Sequence, residues 1–500
     1  MFPSNKNGLS IMKKNILTFG IAGVLLLFGC TKKLDRLPYD GLINDIAFNL
    51  PSDFQNAVRG MYSGLAGLGF PSRTPLTRYT DGEWLLLGDI LADDVITCSV
   101  GRNTFITLQS WSYNSNNTSN LYLQAYNIIL RSNSILANIE NKVVTGAEKN
   151  NIQGEALAMR ALVHFDLVKL YGKSYTSATA DDLGVSYVTS IGADLQPSRD
   201  KVRDVYDKIV KDLTDALPLI ASNNGVGRLN KASVYGLLSR VYLYREEWLK
   251  VIDASTEALK INGNPADTAD FPKIWKDETE VGVLFKIKML DKDKIAIGVL
   301  YSQASSQGVR SEYVANRGLT QLYDTLKDVR AKYPSSPDSS STFKRGTFAS
   351  LTSYYVTKYL GRATGNANVV DFKYLRVAEV LLNRAEAYAM LGMDALAQAD
   401  LNKLRDNRIR GNTPYTGTGD ALKAEIANER RRELAFEAFR FFDLKRKNLP
   451  INRPDFGDAF DGSGRQFTNK QLPANSPKFQ LPIPQEEINA NPNTKQNPGY

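Results

Sequence analysis

Helical periodicity through the middle of the chain is the feature that most constrains its fold. Apolar residues recur every three or four positions at about 119–141, 147–171, 199–219, 231–244 and 247–261. Each stretch predicts an amphipathic helix. Because the connections between them are short, successive helices are expected to stack in antiparallel pairs. The sequence therefore predicts a mainly α protein.

Two of the helical regions carry a repeat-like pattern of small and aromatic residues. The pattern occurs in Ser239–Trp248 and returns in Ala385–Gly392. Alanine at a helix crossing allows the two helices to approach closely, while tyrosine or leucine fills the space beside it. We therefore expect a frame of tetratricopeptide-like helical pairs at about 119–262 and 371–447.

Two stretches, about 67–118 and 263–370, lack this periodicity. The second is rich in Gly, Ser, Asn, Thr and Asp, with short β-like runs at Val281–Lys288 and Ser353–Tyr359. Its Pro334–Thr342 segment is expected to be a mobile loop. Together these stretches predict an irregular, partly β lobe carried by the helical frame. Binding residues are often found on loops that a rigid scaffold holds, so we expect function to lie there.

The N-terminal segment has the layout of a bacterial lipoprotein leader. Lys13 and Lys14 precede the apolar run Ile16–Phe28, and the small residue Gly29 stands directly before Cys30. A basic region, a short apolar region and a small residue before the cleavage point are what a secretory signal requires. The apolar run is too short to span a bilayer stably.

The leader predicts how the mature chain is organised. We expect residues 1–29 to be removed as a signal peptide, with Met12 as the better start, and Cys30 to carry acyl chains. A lipidated tether at 30–50 would then join the anchor to a single domain at 51–500. A plain secreted protein and an uncleaved leader are the alternatives.

The counts of cysteine, histidine and charge exclude several classes of site. Once Cys30 is lipidated, Cys98 is the one remaining thiol, so no intramolecular disulfide is expected and Cys98 should be buried. The single histidine, His164, excludes a two-histidine zinc site. It lies on the apolar stripe of a helix and is expected to pack there. No metal or cofactor is predicted.

Removing the leader lowers the net charge from +9 to +6. The remaining basic residues do not cluster into a tract, which argues against binding of nucleic acid.

The densest motif lies at 429–446, which is predicted to be one helix. Its glutamates recur every fourth residue and would share one face: Glu429, Glu433 and Glu437. Arg432 and Arg440 follow two of them by three residues, a spacing that favours ion pairs. Two acids on neighbouring turns could instead serve glycoside hydrolysis. Arginines beside them would hold the acids ionised, which favours a structural ion-pair network.

Residues 448–500, rich in Pro and Asn, are expected to lie extended.

Several motifs beyond the leader can be compared with a known family. They are the helix at 154–172, Gly227–Arg228, Arg240–Tyr244, Tyr374–Tyr388, the segment from Glu429 to Leu444, and the closing Leu481–Tyr500. In their order and combination they resemble the SusD/RagB family of nutrient-binding outer-membrane lipoproteins.

The resemblance implies a function without catalysis and without a cofactor. It implies capture of an oligosaccharide or peptide at the exterior of the outer membrane, by a lipid-anchored protein that acts as the lid of a SusC-like TonB-dependent transporter. The helical frame would contact that partner. A lipid-anchored glycoside hydrolase and a helical-repeat scaffold of the cell envelope are the alternatives.

No motif of the family identifies the ligand contacts, so the candidates come from chemistry. Sugar rings stack on aromatic side chains, and their hydroxyls need polar partners. The irregular stretches supply the candidates Trp84, Asp93, Asp94, Arg102, Tyr113, Tyr301, Arg310 and Tyr313. Trp248 and Trp275 follow regular patterns and are expected in the core, and Trp111 is expected to anchor packing.

Overall fold

The computed structural model describes residues 48–67, 83–118, 121–192, 194–293, 295–331 and 342–500. The predicted leader at 1–29, the lipidation site Cys30, most of the tether and most of the loop at 334–342 lie outside the described residues. The chain divides into one unit at Met1–Asp53 and another at Phe54–Tyr500. In the first, Asp53 Oδ2 accepts a hydrogen bond from Leu50 N at 2.8 Å. The packing discussed below belongs to the second.

The structure is mainly α, as predicted. Its α-helices are α1 Pro51–Leu65, α2 Leu87–Ile90, α3 Ile106–Gln109, α4 Leu121–Asn138, α5 Gly146–Tyr171, α6 Val202–Ala216, α7 Lys231–Arg245, α8 Trp248–Ile261, α9 Phe271–Ile274, α10 Arg317–Thr320, α11 Val377–Met390, α12 Asp394–Asp406, α13 Gly419–Glu433, α14 Arg440–Arg446 and α15 Gln485–Ala490. Short 3₁₀ turns cover Glu83–Leu85, Asp291–Asp293, Ile297–Leu300 and Pro477–Phe479. None of the helices in the described ranges is both long and apolar enough to cross a membrane.

Short antiparallel strands make the rest of the molecule partly β. They are β1 Val95–Thr97, β2 Val283–Ile287, β3 Gln303–Ser305, β4 Gly308–Arg310, β5 Tyr313–Ala315, β6 Phe343–Phe348, β7 Leu351–Val356, β8 Phe372–Arg376, β9 Ile451–Asn452 and β10 Gln471–Leu472. One sheet has the order β3-β4-β6-β7, and the other strands pair as β1 with β5, β2 with β8 and β9 with β10. In the first of these pairs Val95 lies opposite Ala315.

The helices form one continuous frame. Each of α4 to α7 packs against the next helix along the chain, and α11 packs against both α8 and α12. The small residues allow close packing of two helices, as predicted, at the α11–α12 crossing, where Ala385 and Ala389 pack with Ala397 and Leu401. The two helical regions therefore meet in space although a long β-containing stretch separates them in the sequence.

Local sequence explains where the frame helices begin and which face they bury. At the start of α7, Asn230 Oδ1 accepts from Ser233 N at 3.0 Å and Asn230 N donates to Ser233 Oγ at 2.8 Å. In this reciprocal capping box, the backbone N–H groups of Asn230 and Ser233 both have a hydrogen-bond acceptor at the start of the helix. The apolar stripe of α6, from Val202 through Ile209 to Leu213, is buried throughout.

The prediction of one continuous helix at 429–446 is wrong, because the chain turns sharply in the middle of this segment. α13 ends at Glu433 and α14 begins at Arg440. Between them Phe436 and Ala438 adopt φ values of 64° and 63°. This left-handed conformation cannot continue a right-handed helix.

Contacts from distant parts of the chain hold this break. Ala438 N donates to Asp89 Oδ2 at 2.8 Å, and Tyr359 Oη donates to Phe436 O at 2.5 Å. Gly88 on α2 packs directly on Ala438 O, where a Cβ atom would overlap the carbonyl. The break is therefore a tertiary feature that local helix propensity does not show.

A short helix in the C-terminal segment corrects another expectation. Residues 448–500 are not extended throughout, because α15 forms directly after Pro484. Pro484 stands directly before the first helical residue, and its carbonyl accepts from Ile488 N at 3.2 Å, so the missing N–H of proline costs this helix no hydrogen bond.

His164 and Cys98 are both buried, as predicted. His164 Nε2 accepts from Val188 N at 3.1 Å and its Nδ1 lies 2.8 Å from Arg160 O, which assigns the proton to Nδ1. The imidazole stacks on Tyr187 with 3.9 Å between ring centroids. Burial lowers the pKa of His164 to about 3 and raises the pKa of Cys98 to about 12.

Candidate ligand-binding cleft

A cleft of about 800 Å³ lies between α1, the loop before α7, and the end of β2 with the residues that follow it. Two other clefts, of about 360 and 560 Å³, are smaller. Pockets that enclose small ligands commonly measure about 300–1,000 Å³. The 800 Å³ cleft is therefore the candidate ligand-binding site of the described chain.

A buried carboxylate joins the walls of the cleft. Glu155 on α5 is fully buried, and its Oε2 accepts from Tyr62 Oη at 2.6 Å and from Arg228 Nε at 2.9 Å. Asn151 Nδ2 donates to Glu155 Oε1 at 3.0 Å. Burial raises the pKa of Glu155 although Arg228 opposes the shift. Because this network links α1, α5 and the loop before α7, it holds the cleft in shape without a ligand.

The loop before α7 owes its shape to two glycines. Gly225 has a φ of 71°, in the left-handed region that glycine adopts without strain. A Cβ atom on Gly227 would overlap the side chain of Lys288. Lys286 N donates to Val226 O at 2.8 Å and bonds the loop to β2. The Gly227–Arg228 motif thus has a structural role in the cleft wall.

The cleft also presents apolar surface. The half-buried Tyr62 ring lies 6.2 Å from the ring of Phe285, and buried Val58 and Leu65 continue the wall. Leu290 is 45% exposed at the same cleft. A sugar ring has an apolar face and polar edges, so a pocket that combines apolar side chains with placed polar groups suits it.

Three of the predicted ligand contacts are core residues, which corrects the prediction for Tyr113, Tyr301 and Tyr313. Each is at most 1% exposed. Tyr313 Oη donates to Thr104 O at 2.5 Å, and Tyr301 stacks on Tyr359 with 6.0 Å between ring centroids. Rings enclosed in this way leave no face for a sugar.

The paired carboxylates Asp93 and Asp94 are buried as well, and they bind arginines of the frame. Arg440 Nε lies 2.7 Å from Asp93 Oδ1, and Arg431 Nη2 lies 2.6 Å from Asp94 Oδ1. Burial raises the pKa of Asp94. At Asp93 burial also opposes ionisation, but Arg440 and Arg431 together lower the pKa. The structure corrects this prediction too, since these acids join the start of β1 to α13 and α14.

Arg102 and Arg310 are partly exposed and lie close together in the β-containing region. Arg102 Nε donates to Glu312 Oε1 at 2.7 Å, and Arg310 Nε donates weakly to Val100 O at 3.4 Å. Neither side chain lines the cleft. Their role in binding stays a prediction.

The tryptophans have structural contacts. Trp84 Nε1 donates to Leu65 O at 3.3 Å, so this predicted ligand contact touches the cleft wall without lining the cleft. Trp111 Nε1 donates to Leu91 O at 2.9 Å, which confirms its predicted role as a packing anchor. Trp275 is buried in the core, as predicted.

The densest sequence motif forms a buried ion-pair network, as predicted. Glu433 lies 3.0 Å from Arg330, 2.7 Å from Arg376 and 2.9 Å from Arg408. Glu429 is also fully buried. Burial opposes its ionisation, but Arg330 and Arg432 lower its pKa to about 2. Acids that are enclosed and held ionised cannot protonate a leaving group, so they do not support the hydrolase alternative.

Glu437 does not make the ion pair that its spacing predicts. It lies beyond the end of α13 and pairs with Lys358 at 2.6 Å and Arg376 at 2.7 Å. Its expected partner Arg440 binds Asp93 instead. The break after α13 is the reason, because it turns the two residues away from one helical face.

The cleft residues were missed at the level of sequence, although two signals were present. In α1, Phe54, Val58, Met61 and Leu65 follow helical spacing and are buried. The Gly227–Arg228 motif marks the loop wall. Among the residues that the structure describes, no group of three or more His, Cys, Asp or Glu side chains is placed to hold a metal ion.

Comparisons with known proteins agree with this architecture. The SusD family model matches residues 301–500, and a model described as "starch-binding associating with outer membrane" matches residues 85–243. A SusD-like protein of Formosa agariphila is 27% identical over 545 aligned positions, which cover 98% of this chain and 100% of the relative.

Solved structures show the same fold. A SusD superfamily protein of Bacteroides vulgatus has a TM-score of 0.77 at 25% identity, covering 91% of this chain and 100% of that one. A SusD-like carbohydrate binding protein of the same species has a TM-score of 0.75 at 22% identity, covering 89% and 98%. The two family models, the full-length relative and the SusD superfamily structure together support this chain as a SusD-like family member.

Proposed function

We propose that this chain binds an oligosaccharide in the cleft beside α1 and delivers it for uptake across the outer membrane. The observation that carries the proposal is the cleft itself, which the Glu155 network holds open between polar and apolar walls. The description of the matching family model, starch binding with outer-membrane association, supports the class of ligand and the location.

Binding in this cleft requires no bond to be made or broken. The Tyr62 ring and Leu290 offer apolar contact to a sugar face, and the polar side chains of the wall offer hydrogen bonds to its edge. Because Arg228 and Glu155 already satisfy each other, the wall is ordered before binding and less conformational entropy is lost when a ligand enters.

A titration series tests the proposal. Purified protein is titrated calorimetrically with neutral and charged oligosaccharides and with short peptides. We expect saturable binding of one molecule of an oligosaccharide class and no turnover of that oligosaccharide on prolonged incubation. Binding of peptides alone would contradict the proposed ligand class, and release of shorter sugars would favour the hydrolase alternative. Binding of neither class would favour an envelope scaffold.

The proposal includes a lipid anchor at Cys30. Acyl chains would confine the protein to the membrane plane and raise its effective concentration beside a transporter. Radioactive palmitate should label the wild-type protein in its host and leave Cys30→Ser unlabelled, with the variant moving to the soluble fraction. Cys98→Ser is the matched control and should keep both the label and the membrane fraction. A labelled Cys30→Ser protein would contradict the anchor.

The proposed partner is a SusC-like TonB-dependent transporter, with this chain as its lid at the cell exterior. The partner is argued from family membership, and the continuous helical frame offers a rigid surface for it. Gentle solubilisation of host membranes and capture of tagged protein should recover the transporter in equal molar amount. Capture of the tagged protein without any transporter would contradict this part of the proposal.

A further inference from the structure

We propose that the cleft selects an anionic oligosaccharide, one whose sugars carry carboxylate or sulfate groups. This inference rests on the proposed function and adds the chemical class of the ligand. It is drawn from the charged side chains that line the cleft and from the partners that each of them has or lacks.

Basic side chains outnumber acidic ones in the cleft lining. The basic ones are Arg59, Arg228, Lys286, Lys288 and Lys292, and the acidic ones are Glu280 and Asp293. Two of the basic groups are already neutralised by carboxylates. Arg228 pairs with Glu155 at 2.5 Å, and Lys286 Nζ lies 2.8 Å from Glu280 and 2.9 Å from Asp371.

Three cations remain without a carboxylate partner in the described part of the chain. Arg59, Lys288 and Lys292 are exposed at the cleft, and Arg59 Nη1 donates to the neutral Asn56 Oδ1 at 2.8 Å. Asp293 is the one lining acid that lacks an ion pair among those residues. The uncompensated charge of the lining is therefore positive.

The sequence places one of these cations against the loop wall. Gly227 lacks a side chain where the stem of Lys288 passes, and a Cβ atom there would overlap that stem. Elsewhere on the described chain, Lys260 pairs with Glu257 at 2.5 Å and Lys423 pairs with Asp420 at 3.1 Å. Lys288 is exposed at the cleft and has no such acidic partner among the described residues.

An anionic sugar would gain from this arrangement in two ways. Hydrogen bonds between an ammonium or guanidinium group and a carboxylate or sulfate are stronger than those to a neutral hydroxyl. A cleft of one charge sign also attracts oppositely charged ligands from solution, and salt weakens that attraction. A neutral oligosaccharide gains neither effect.

Matched ligands test the inference. The protein is titrated with oligogalacturonides and their carboxyl-reduced neutral forms, and with sulfated carrageenan oligosaccharides and neutral agaro-oligosaccharides. We expect tighter binding of the charged member of at least one pair, weakening as salt is raised. The pairs distinguish carboxylate from sulfate as the recognised group.

A double variant locates the effect in the cleft. Lys288→Gln with Lys292→Gln should lose about tenfold or more in affinity for the charged ligand, as expected when two charged hydrogen bonds are removed. Lys260→Gln with Lys423→Gln makes the same charge change on the frame and should leave the affinity within about twofold.

The outcomes separate this inference from the proposed function. Equal affinity for charged and neutral members of each pair would overturn the anionic selectivity while oligosaccharide binding stood. The same loss in both double variants would also overturn it, because the charge effect would then be general. Failure of every oligosaccharide to bind would overturn both.

Discussion

Buried charged and polar side chains are the residues on which this structure depends most. Glu433 contacts three arginines from three different segments, and its exposed fraction is zero. Removing Glu433 takes one carboxylate from each of these buried arginines, and among the described residues it leaves Arg408 with no carboxylate partner in a medium of low polarity. Substitutions here should therefore act on stability and leave the cleft unaffected.

Glu433→Gln should lower the free energy of unfolding by about 3–5 kcal/mol, because three buried arginines lose their shared counter-charge. Urea denaturation followed by circular dichroism measures the change. Glu425→Gln, at a half-buried acid of the same helix, is the control and should cost about 1 kcal/mol or less. Equal small effects in both variants would contradict a buried network.

Acid should destabilise the protein partly through His164. The pKa of about 3 in the folded state lies below the ordinary 6.5, so only the unfolded chain binds a proton between these values. The contribution of neutral His164 to the free energy of unfolding is thus fully present above about pH 6.5 and is lost as the pH falls toward 3.

His164→Phe removes this linked proton but also leaves Val188 N–H without its acceptor. The wild type should be the more stable protein at pH 7, and its advantage should shrink between pH 7 and pH 4. Urea denaturation of both proteins across that range measures the difference. An advantage that stays constant with pH would show that the histidine titrates normally.

At the scale of elements, close approach of backbone to backbone determines where helices end. Gly88→Ala should lower the free energy of unfolding by about 1–3 kcal/mol, because the new methyl group would overlap Ala438 O at the α13–α14 break. Gly60→Ala is the matched change inside α1, where a Cβ atom meets nothing, and should stabilise by up to about 1 kcal/mol. Thermal unfolding compares the two, and a neutral Gly88→Ala would contradict the packing described.

The helices also differ in how well the sequence predicts them. Helices α4 to α8 were predictable because the apolar periodicity within each of them is long, even though residues 172–201 separate α5 from α6. The break after Glu433 was not, because Asp89 and Tyr359, which hold it, lie far away in the sequence. The rings of Tyr301 and Tyr313 look like ligand contacts in a loop-rich stretch, but short strands and turns enclose them in the core.

At the scale of the whole molecule, the cleft exists only because distant segments meet. Its walls come from α1, from the loop before α7, and from β2 and the residues after it, so no single stretch of sequence reveals it. The helical frame supplies Glu155, which ties two of these walls together. The architecture was thus predictable from sequence, while the position of the candidate site was not.

Blocking the cleft with a large side chain tests whether the oligosaccharide binds there. Ser63, half-buried in α1, lines the cleft, whereas Thr413 is exposed and does not. Calorimetric titration with the tightest oligosaccharide should show binding to wild type and Thr413→Trp with equal affinity. Ser63→Trp, folded by circular dichroism, should lose binding. Unchanged affinity in Ser63→Trp would show that the oligosaccharide binds elsewhere.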